Sequence, residues 1–480
     1  MLCLRVRNAN TFRKLWRKMG GRASRKEIHV LVVPFHVQGH INPMLQFAKR
    51  LSSKGLRLTL VIPKSIGNSI QSHGNSINVE FIFDGVKEGQ STPAIEEYLK
   101  IYKAAATQSI AELLEKHSST PHPIKYIIYD SIVPWLLDVA RSSGIDGCPF
   151  FTQSCAVGAV YYHAFQGTLN FPFEEPVVSL PSIPPLEFND LPSFVRDSGS
   201  YPGIYDMVFS QFSNVNEPGV LLWNTFTELE DKQLKWMATK WPIMPIGPTI
   251  PSMFLDGRLE DDKNYGLSLF KPNSDTCMDW LASKEPKSVV YVSFGSLAAL
   301  EEAQMAELAW GLKRSGCYFL WVVRESELNK LPWLVDFVHQ TSDKGLLVTW
   351  SCQLEILAHE SVGCFVTHCG WNSILEALSL GVPMIAMPQW TDQPTNAKFV
   401  SDVWQVGMRA KVDEKGLVSR EETERCIREI MEAEGGNEMR RNSEKWKEMA
   451  KKAADEGGSA AKNIEKFVTK LVQICSSNSK

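Results

Sequence analysis

Three side chains that donate hydrogen bonds stand around one glycine in the C-terminal half of the 480-residue chain. They are His368, Asn372 and Ser373, and the pattern predicts that a helix begins beside them, at Gly370. The first turn of a helix presents free backbone N–H groups and the positive end of the helix dipole. These residues therefore predict a binding site for an anion such as a phosphate group.

Residues on either side of this helix start suit the other parts of a nucleotide that carries a sugar. Glu376 lies one helical turn further on, on the same face, where its carboxylate can accept hydrogen bonds from two ribose hydroxyls. Trp350 offers a flat ring for a base. Trp390, Asp392 and Gln393 combine a ring for the C–H face of a sugar with acceptors for its hydroxyl protons. An ordinary strand–helix–strand unit with plain caps is the alternative interpretation.

The apolar pattern predicts the elements that position these residues. Residues 363–367 and 382–387 are typical of buried strands, and residues 374–380 are typical of a helix that Gly381 and Pro383 stop. This order makes a parallel βαβ unit. Ligands of open α/β folds bind at the carboxyl ends of the parallel strands, where the polar cluster falls.

Two further candidates for chemistry stand at the ends of predicted strands in the N-terminal half. His40 lies in a loop before a helix, which we expect to begin at Pro43 with Asn42 as its cap. Asp130 directly follows another apolar strand. A histidine in such a place can act as a general base, and a carboxylate bound to one imidazole nitrogen fixes the tautomer. Taken alone, each residue is also explained as a cap or as an exposed side chain.

Length and composition limit the class of protein. The length favours two domains of similar size, and 44% apolar with 22% charged residues is typical of a globular protein. No run of about 18 apolar residues predicts a membrane span. Residues 1–26 hold nine Lys or Arg and no acid, which leaves 42 basic against 54 acidic side chains in the remainder. That acidic remainder argues against nucleic-acid binding.

The ten cysteines form no C-x-x-C pair and show no His/Cys spacing for a metal. Several, such as Cys364 and Cys369, lie in or beside apolar runs. We therefore expect buried thiols in a reducing, cytoplasmic compartment and no metal site.

Several short motifs in the chain resemble those of a known family. The stretch from Trp350 to Gln393 contains W-x-x-Q, H-C-G-W-N-S, a following glutamate, G-V-P and W-x-D-Q. It resembles the nucleotide-sugar box of plant family-1 UDP-glycosyltransferases. The pattern V-P-x-x-x-Q-G-H-x-x-P-M around His40, and the run that begins at Asp130, are similar to N-terminal segments of that family. The resemblance covers nearly everything from residue 27 on; Cys352 departs from the Pro or small residue that is usual there.

The resemblance implies roles for individual residues. It implies that His40 is the catalytic base and that Asp130 pairs with it. It implies that the turn containing Ser296 faces the nucleotide. The residues that it assigns to UDP-sugar binding are Ser296, Trp350, Ser351, Cys352, Gln353, His368, Cys369, Gly370, Trp371, Asn372, Ser373, Glu376, Trp390, Thr391, Asp392 and Gln393.

The fold that the resemblance implies is α/β, with two Rossmann-like domains facing across a cleft (GT-B). We expect an acceptor-binding domain at 27–248, a linker at 249–273 and a UDP-sugar-binding domain at 274–458. A C-terminal helix within 459–480 is expected to pack back on the first domain. The basic extension at 1–26 is expected to be disordered.

The function that the resemblance implies is inverting, metal-independent transfer of glucose from UDP-glucose, with no other cofactor. Gln393 at the end of the box is the family's usual mark of glucose. Similarity to the group L branch implies as acceptor a small lipophilic plant metabolite, such as a triterpenoid, steroid, phenol or aromatic acid. We expect a monomer.

Two other classes of protein remain as alternatives. One is a UDP-sugar-binding protein without transfer activity. The other is a nucleotide-sugar dehydrogenase or epimerase, which needs G-x-G-x-x-G after the first strand to bind a dinucleotide. The chain has P-F-H-V-Q-G-H there instead, which argues against this class.

Overall fold

The computed structural model describes residues 25, 27–67, 77–87, 93–169, 176–197, 199–267 and 273–477. The basic extension predicted at 1–26 lies outside the described residues, apart from Arg25. None of the described helices is long and apolar enough to cross a membrane.

The N-terminal half of the described chain contains one parallel sheet and one short antiparallel hairpin. In chain order its strands are β1 His29–Val33, β2 Arg57–Pro63, β3 Asn78–Ile82, β4 Ile124–Asp130, β5 Asp146–Phe151, β6 Val177–Val178, β7 Leu186–Glu187, β8 Leu221–Trp223 and β9 Ile243–Pro245. The parallel sheet has the order β3-β2-β1-β4-β5-β8-β9, and β6 pairs with β7 in the hairpin. The order reverses between β1 and β4, which are the strands that lead to His40 and Asp130.

Helices connect these strands and cover both faces of the sheet. In chain order they are α1 Gln38–Ser53, α2 Lys64–Gly67, α3 Ile95–Ser118, α4 Leu136–Ser142, α5 Cys155–Phe165, α6 Ser193–Arg196, α7 Pro202–Ser210 and α8 Asp231–Ala238.

The C-terminal half of the described chain builds a second parallel sheet. Its strands are β10 Val289–Ser293, β11 Tyr318–Val322, β12 Gly345–Val348, β13 Val362–Thr367, β14 Met384–Ala386 and β15 Gly407–Arg409. Their order is β12-β11-β10-β13-β14-β15, so the reversal lies between β10 and β13. Two sheets of this doubly wound kind confirm the prediction of two Rossmann-like domains.

The helices of this half differ widely in length. They are α9 Ser274–Ala282, α10 Glu302–Ser315, α11 Glu325–Leu328, α12 Trp333–Gln340, α13 Gln353–Ala358, α14 Trp371–Leu380, α15 Gln393–Lys398, α16 Arg420–Met431, α17 Glu434–Ala454 and α18 Ser459–Ser477. A π-helical turn, Phe399–Val403, continues α15.

Apolar strands explain why helices cover both faces of each sheet, since all five residues of β1 and of β10 are buried. One face of the first sheet packs on α1 and on α18, the last helix of the chain. In that core, Phe467 of α18 contacts Phe47 of α1 and Tyr126 of β4 with ring centroids 5.9 and 6.2 Å apart. The end of the chain thereby completes the core of the first sheet.

Helix α1 begins earlier than its sequence predicts. It starts at Gln38 and contains Pro43, so the expectation that Asn42 caps the helix and Pro43 opens it is wrong. His40 consequently lies in the first turn of a helix and not in a preceding loop.

A contact from the second sheet's side explains how α1 tolerates its proline. Pro43 has no N–H to donate to the carbonyl four residues earlier, which is that of Gly39. The Gly39 carbonyl instead accepts a hydrogen bond of 2.6 Å from Asn372 Nδ2. Since the lost bond is replaced across the cleft, the early helix start depends on the tertiary structure.

Candidate active site

The carboxyl ends of the two sheets enclose a cleft with a cavity of about 530 Å³. The strand order of each sheet reverses at this cleft, and such reversals are where open α/β sheets bind ligands. The predicted site residues that line it are His40, Ser296, Trp350, Ser351, Cys352, Gln353, His368, Gly370, Trp371, Asn372, Ser373, Glu376, Trp390, Thr391, Asp392 and Gln393.

His40 and Asp130 form a hydrogen-bonded pair. The Nδ1 atom of His40 lies 2.6 Å from Oδ2 of Asp130, which is fully buried. The same carboxylate accepts hydrogen bonds from the backbone N–H groups of Phe35, at 3.0 Å, and Ile132, at 3.3 Å. These fixed donors hold the carboxylate in place, so that it orients the imidazole ring.

The pair determines the protonation of His40. A carboxylate at Nδ1 favours the tautomer with the proton on that nitrogen, which leaves the lone pair of Nε2 to accept a proton. Burial lowers the pKa of His40, but the charge and hydrogen bond of Asp130, with a contribution from Asp392, outweigh burial and raise it above its ordinary value. His40 is therefore arranged as a general base.

The opposite side of the cleft is the N-terminus of α14, which begins directly after Gly370. The ring of His368 lies between two glycines: a Cβ added to Gly370 would come within 2.5 Å of its Nε2, and one added to Gly295 within 2.9 Å. Burial lowers the pKa of His368 to about 4, so the ring is neutral at neutral pH. The neutral ring of His368 therefore offers an anion a hydrogen-bond donor that carries no full positive charge. This donor lies beside the backbone N–H groups of the helix.

Glu376 lies one turn into α14 and is almost fully buried, at 4% exposure. Its Oε2 accepts a hydrogen bond of 2.7 Å from Gln353, and its Oε1 accepts one of 2.7 Å from the hydroxyl of Tyr265. Burial raises the pKa of Glu376 to about 7, although both of these hydrogen bonds lower it. The carboxylate predicted to bind ribose is thus already oriented by protein donors.

The predicted base platform is anchored at its backbone. The carbonyl of Trp350 accepts a hydrogen bond of 3.0 Å from the N–H of Asn273. The hydroxyls of Ser351 and Tyr291 lie 3.2 Å apart, and the Cys352 sulfur accepts a hydrogen bond of 3.0 Å from Ser274. Cys352, which departs from the family pattern, thereby ties the Trp350 loop to α9.

The loop between β14 and α15 has a strained backbone and a buried carboxylate. Thr391 has a φ of 55°, which is left-handed for a residue other than glycine, and is held by paired hydrogen bonds with Ser193 of α6.

The side chains of Asp392 and Gln393 in the same loop accept hydrogen bonds. Asp392 accepts one of 2.7 Å from Asn396. Burial raises the pKa of Asp392 above its ordinary value, against the hydrogen bonds from Thr391 and Asn396. Gln393 accepts from two backbone N–H groups of the same loop, at 2.9 and 3.1 Å.

Comparison with known proteins identifies the family. The model described as UDP-glucoronosyl and UDP-glucosyl transferase matches residues 224–444. UDP-glycosyltransferase 74E2 from Arabidopsis thaliana is 51% identical over 451 residues, which cover 93% of this chain and 99% of that protein. Mogroside I-E synthase from Siraitia grosvenorii is 49% identical over 451 residues with the same coverage. The chain belongs to the UDP-glycosyltransferase family.

Solved structures confirm that this transferase has the GT-B fold. Os79 from O. sativa in complex with UDP superposes with a TM-score of 0.86 at 38% identity, over 92% of this chain and all of that one. The same protein in complex with UDP and deoxynivalenol-3-glucoside gives a TM-score of 0.82 at 37% identity, with 92% of this chain covered. The resemblance stated from the sequence is therefore confirmed for family and fold.

Two of the residues that the resemblance assigns to UDP-sugar binding, Cys369 and Trp371, direct polar side-chain atoms to carbonyl groups of the protein. Cys369 has a φ of 65° and a fully buried side chain, whose sulfur points to the carbonyl of Thr367 at 3.7 Å. The indole N–H of Trp371 donates a hydrogen bond of 2.7 Å to the carbonyl of Asn224, across the cleft. Both residues shape the backbone of the site, and Trp371 also joins the two halves.

Two residues that support the site, Arg324 and Tyr265, were not identified from the sequence. Arg324 donates hydrogen bonds of 2.6 and 2.8 Å to the carbonyls of Ser296 and Ala298, and so fixes the turn after β10. Its position just after β11 is a signal that could have indicated it. Tyr265 lies in a segment without periodicity, and no sequence pattern indicates its contact with Glu376.

No group of three or more His, Cys, Asp and Glu side chains within the described ranges is placed to hold a metal ion.

The part of the cleft that the N-terminal half of the chain lines is mostly apolar. Its apolar lining comes from α3, α5, α6, α7 and the loops after β1 and β4, and includes Phe35, Ile95, Ile132, Tyr161, Phe194, Ile204, Met207 and Val208. Such a lining suits a lipophilic molecule.

Proposed function

We propose that this transferase moves glucose from UDP-glucose, with inversion, to a hydroxyl or carboxyl of a small lipophilic plant metabolite. The observation that carries the proposal is the pair of His40 and Asp130, 2.6 Å apart, at the boundary between the apolar acceptor side and the polar donor side of one cleft. A base in that place can activate an acceptor beside a bound nucleotide sugar.

The proposed reaction is a single displacement. His40 Nε2 takes the proton of the acceptor hydroxyl, and the oxygen attacks the anomeric carbon from the face opposite to UDP. The bond between the anomeric carbon and the diphosphate oxygen breaks, and its electron pair leaves with UDP. The N-terminus of α14 with His368, Asn372 and Ser373, together with the turn at Ser296, is placed to stabilise the charge that develops there.

We propose UDP as the nucleotide held by residues 350–376 and glucose as the sugar at residues 390–393. The buried carboxylate of Asp392 and the ring of Trp390 suit sugar hydroxyls and a sugar face. A relative from Panax ginseng that is 46% identical over 450 residues is named UDP-glucosyltransferase 45, and one of the Os79 complexes contains a glucoside. Both relatives support glucose as the donor sugar.

Two observations support the proposed class of acceptor. They are the apolar lining of the cleft and the molecules that appear in the names of related proteins and of their complexes. One relative is named as a synthase of mogroside I-E, and an Os79 complex contains a trichothecene. We propose an acceptor of comparable lipophilic character that directs one hydroxyl or carboxyl towards His40.

A UDP-sugar-binding protein without activity is the alternative, and the pair of His40 and Asp130 speaks against it. A protein that only binds the nucleotide sugar has no need of a base held by a buried carboxylate on the acceptor side.

The test is release of UDP from UDP-glucose by the purified protein, with a panel of phenols, aromatic acids, triterpenoids and steroids. We expect acceptor-dependent release, most of which His40→Ala removes for alcohols. His122→Ala, at an exposed histidine, is the matched control and should keep wild-type rates. UDP-glucose binding without release for any acceptor would favour the alternative.

A further inference from the structure

The segment at residues 262–267 runs along the cleft and is tied to the helix that carries His40. Asp262 accepts a hydrogen bond of 3.0 Å from Lys49 of α1, and the same lysine donates to the carbonyl of Asn264 at 2.7 Å. Gln38, the first residue of α1, donates to the carbonyl of Leu267 at 3.2 Å. The backbone on both sides of Tyr265 is therefore fixed from the N-terminal side.

Tyr265 reaches from this segment to the donor side. Its hydroxyl donates a hydrogen bond of 2.7 Å to Oε1 of Glu376, while Gln353 occupies Oε2. A carboxylate oxygen has two lone pairs, so each oxygen keeps one acceptor position for a ligand hydroxyl. The two protein donors thus fix the rotation of the carboxylate and still leave it able to accept two further hydrogen bonds.

We propose that Tyr265 is a positioning residue of the donor site, which holds Glu376 as an oriented carboxylate for the two hydroxyls of the UDP ribose. The inference rests on the proposed function, because it takes Glu376 to be the group that binds the ribose. It adds a contact from the segment before α9, on the N-terminal side, to a subsite that otherwise belongs to the second sheet.

The electrostatics of Glu376 explain why such a donor is needed. Burial raises the pKa of Glu376 to about 7, and the hydrogen bonds from Gln353 and Tyr265 lower it. Loss of the Tyr265 hydroxyl would raise that pKa further, and a neutral carboxyl is a poorer acceptor for two hydroxyls.

Among the described residues, the titratable side chains that interact with Glu376 are Tyr265 from the segment itself and Tyr291 from β10. Burial raises the pKa of both phenols, so both stay protonated between about pH 6 and pH 9. Among these three interacting side chains, Glu376 is thus the one expected to titrate in that range.

The test compares Tyr265→Phe with the wild type by calorimetric titration with UDP and with 2′-deoxy-UDP from about pH 6 to pH 9. The wild type should bind UDP more weakly as the pH falls through about 7, as Glu376 becomes protonated. In Tyr265→Phe that loss should begin at a higher pH. At about pH 7 the variant should bind UDP about threefold to tenfold more weakly.

The effect should be confined to the ribose hydroxyls. In Tyr265→Phe, the preference for UDP over 2′-deoxy-UDP should shrink, with little change in binding of the deoxy compound. Tyr129→Phe is the matched control, because that buried hydroxyl has no hydrogen-bond partner among the described residues. It should bind both nucleotides like the wild type.

Four outcomes separate this inference from the proposed function. If Glu376→Gln abolishes the pH dependence and the preference for UDP while Tyr265→Phe changes neither, the role of Tyr265 is refuted and the donor site stands. Equal weakening of both nucleotides by Tyr265→Phe, or tighter binding of UDP, would also refute it. If Glu376→Gln leaves UDP binding unchanged, the assignment of the ribose site fails.

Discussion

At the scale of single residues, the chemistry depends on where protons are held. Asp130 is buried and accepts from His40 and from two backbone N–H groups, so it remains an acceptor that fixes the ring. His368, on the other side of the cleft, has its pKa lowered to about 4 by burial and stays neutral. The two histidines of the site therefore have opposite environments, which suit a base and a neutral donor.

Asp130→Asn tests the pairing directly. Only unprotonated His40 can accept a proton, and Asp130 helps to raise its pKa, so wild-type kcat/KM with an alcohol should fall as the pH drops through that raised pKa. The variant should lose about 10²-fold to 10⁴-fold in rate, and its acidic limb should move to lower pH. A pH profile of kcat/KM gives both quantities, and an unmoved acidic limb would argue against the pairing.

His40→Ala should affect two classes of acceptor differently. A carboxylic acid with a pKa of about 4 is already ionised at neutral pH and needs no base, whereas an alcohol does. The variant should therefore lose most of its activity with alcohols and much less with aromatic acids. Product formation measured for one acceptor of each class decides this, and an equal loss for both would contradict it.

At the scale of elements, the site is built from element ends whose backbone geometry is demanding. The first turn of α14 faces the cleft, and the turns around it contain Gly295 and Gly370 packed against His368. The first turn of α1 carries His40, and its Gly39 carbonyl is free to bond Asn372 because Pro43 cannot use it. The two helix ends therefore lie within hydrogen-bonding distance of each other.

Gly295→Ala and Gly316→Ala form a matched pair of variants. Comparing them separates the effect of backbone strain from the effect of a contact with the His368 ring. Both glycines have a φ of 71°, but an added Cβ would lie 2.9 Å from the His368 ring at Gly295 and within 4 Å of nothing at Gly316. Each variant should lose about 1 kcal/mol of stability from its left-handed backbone. Only Gly295→Ala should also weaken UDP binding, because it displaces the ring.

Urea unfolding and calorimetric titration with UDP measure the two effects of the glycine pair separately. If Gly316→Ala weakened UDP binding as much as Gly295→Ala, the contact with His368 would not be the cause.

At the scale of the whole molecule, the two halves are joined by polar contacts at the cleft and by the last helix. Asn372 bonds the Gly39 carbonyl, Trp371 bonds the Asn224 carbonyl, and Ser154 donates to Asn396 at 3.0 Å. Helix α18 lies at the C-terminal end of the chain, yet its apolar face belongs to the core of the first sheet. The stability of the first sheet therefore depends on residues that follow the second sheet in sequence.

Phe467→Ala tests that dependence. Phe467 is fully buried, and its ring packs on Phe47 and Tyr126, so truncation should leave a cavity and cost about 3–5 kcal/mol. Urea unfolding followed by tryptophan fluorescence measures the loss. Lys466→Ala, at the exposed neighbouring position, should stay within about 0.5 kcal/mol of the wild type. A small loss for Phe467→Ala would mean that α18 is dispensable for the first sheet.

Local chemistry made much of this protein predictable from its sequence. The apolar runs that became β1, β4, β10 and β13 are buried strands because their residues can hide on both faces of a parallel sheet. The polar residues that follow these strands lie at the carboxyl edge of a sheet. They lie close together there because the strands are parallel and end at the same edge. Type and position marked His40, Asp130 and the cluster at residues 368–376 as candidates, whereas the roles predicted for His40 and Asp130 came from the resemblance to the family.

Other features depend on partners that are far away in the chain, and only the tertiary structure decided them. The start of α1 before Pro43 relies on Asn372, which is 333 residues from the Gly39 carbonyl that it bonds, because the proline removes the local hydrogen bond. The contact of Tyr265 with Glu376 and the packing of Phe467 on Phe47 likewise join distant segments without any local pattern. Periodicity and caps report the neighbours of a residue along the chain, whereas these contacts arise from the docking of two sheets.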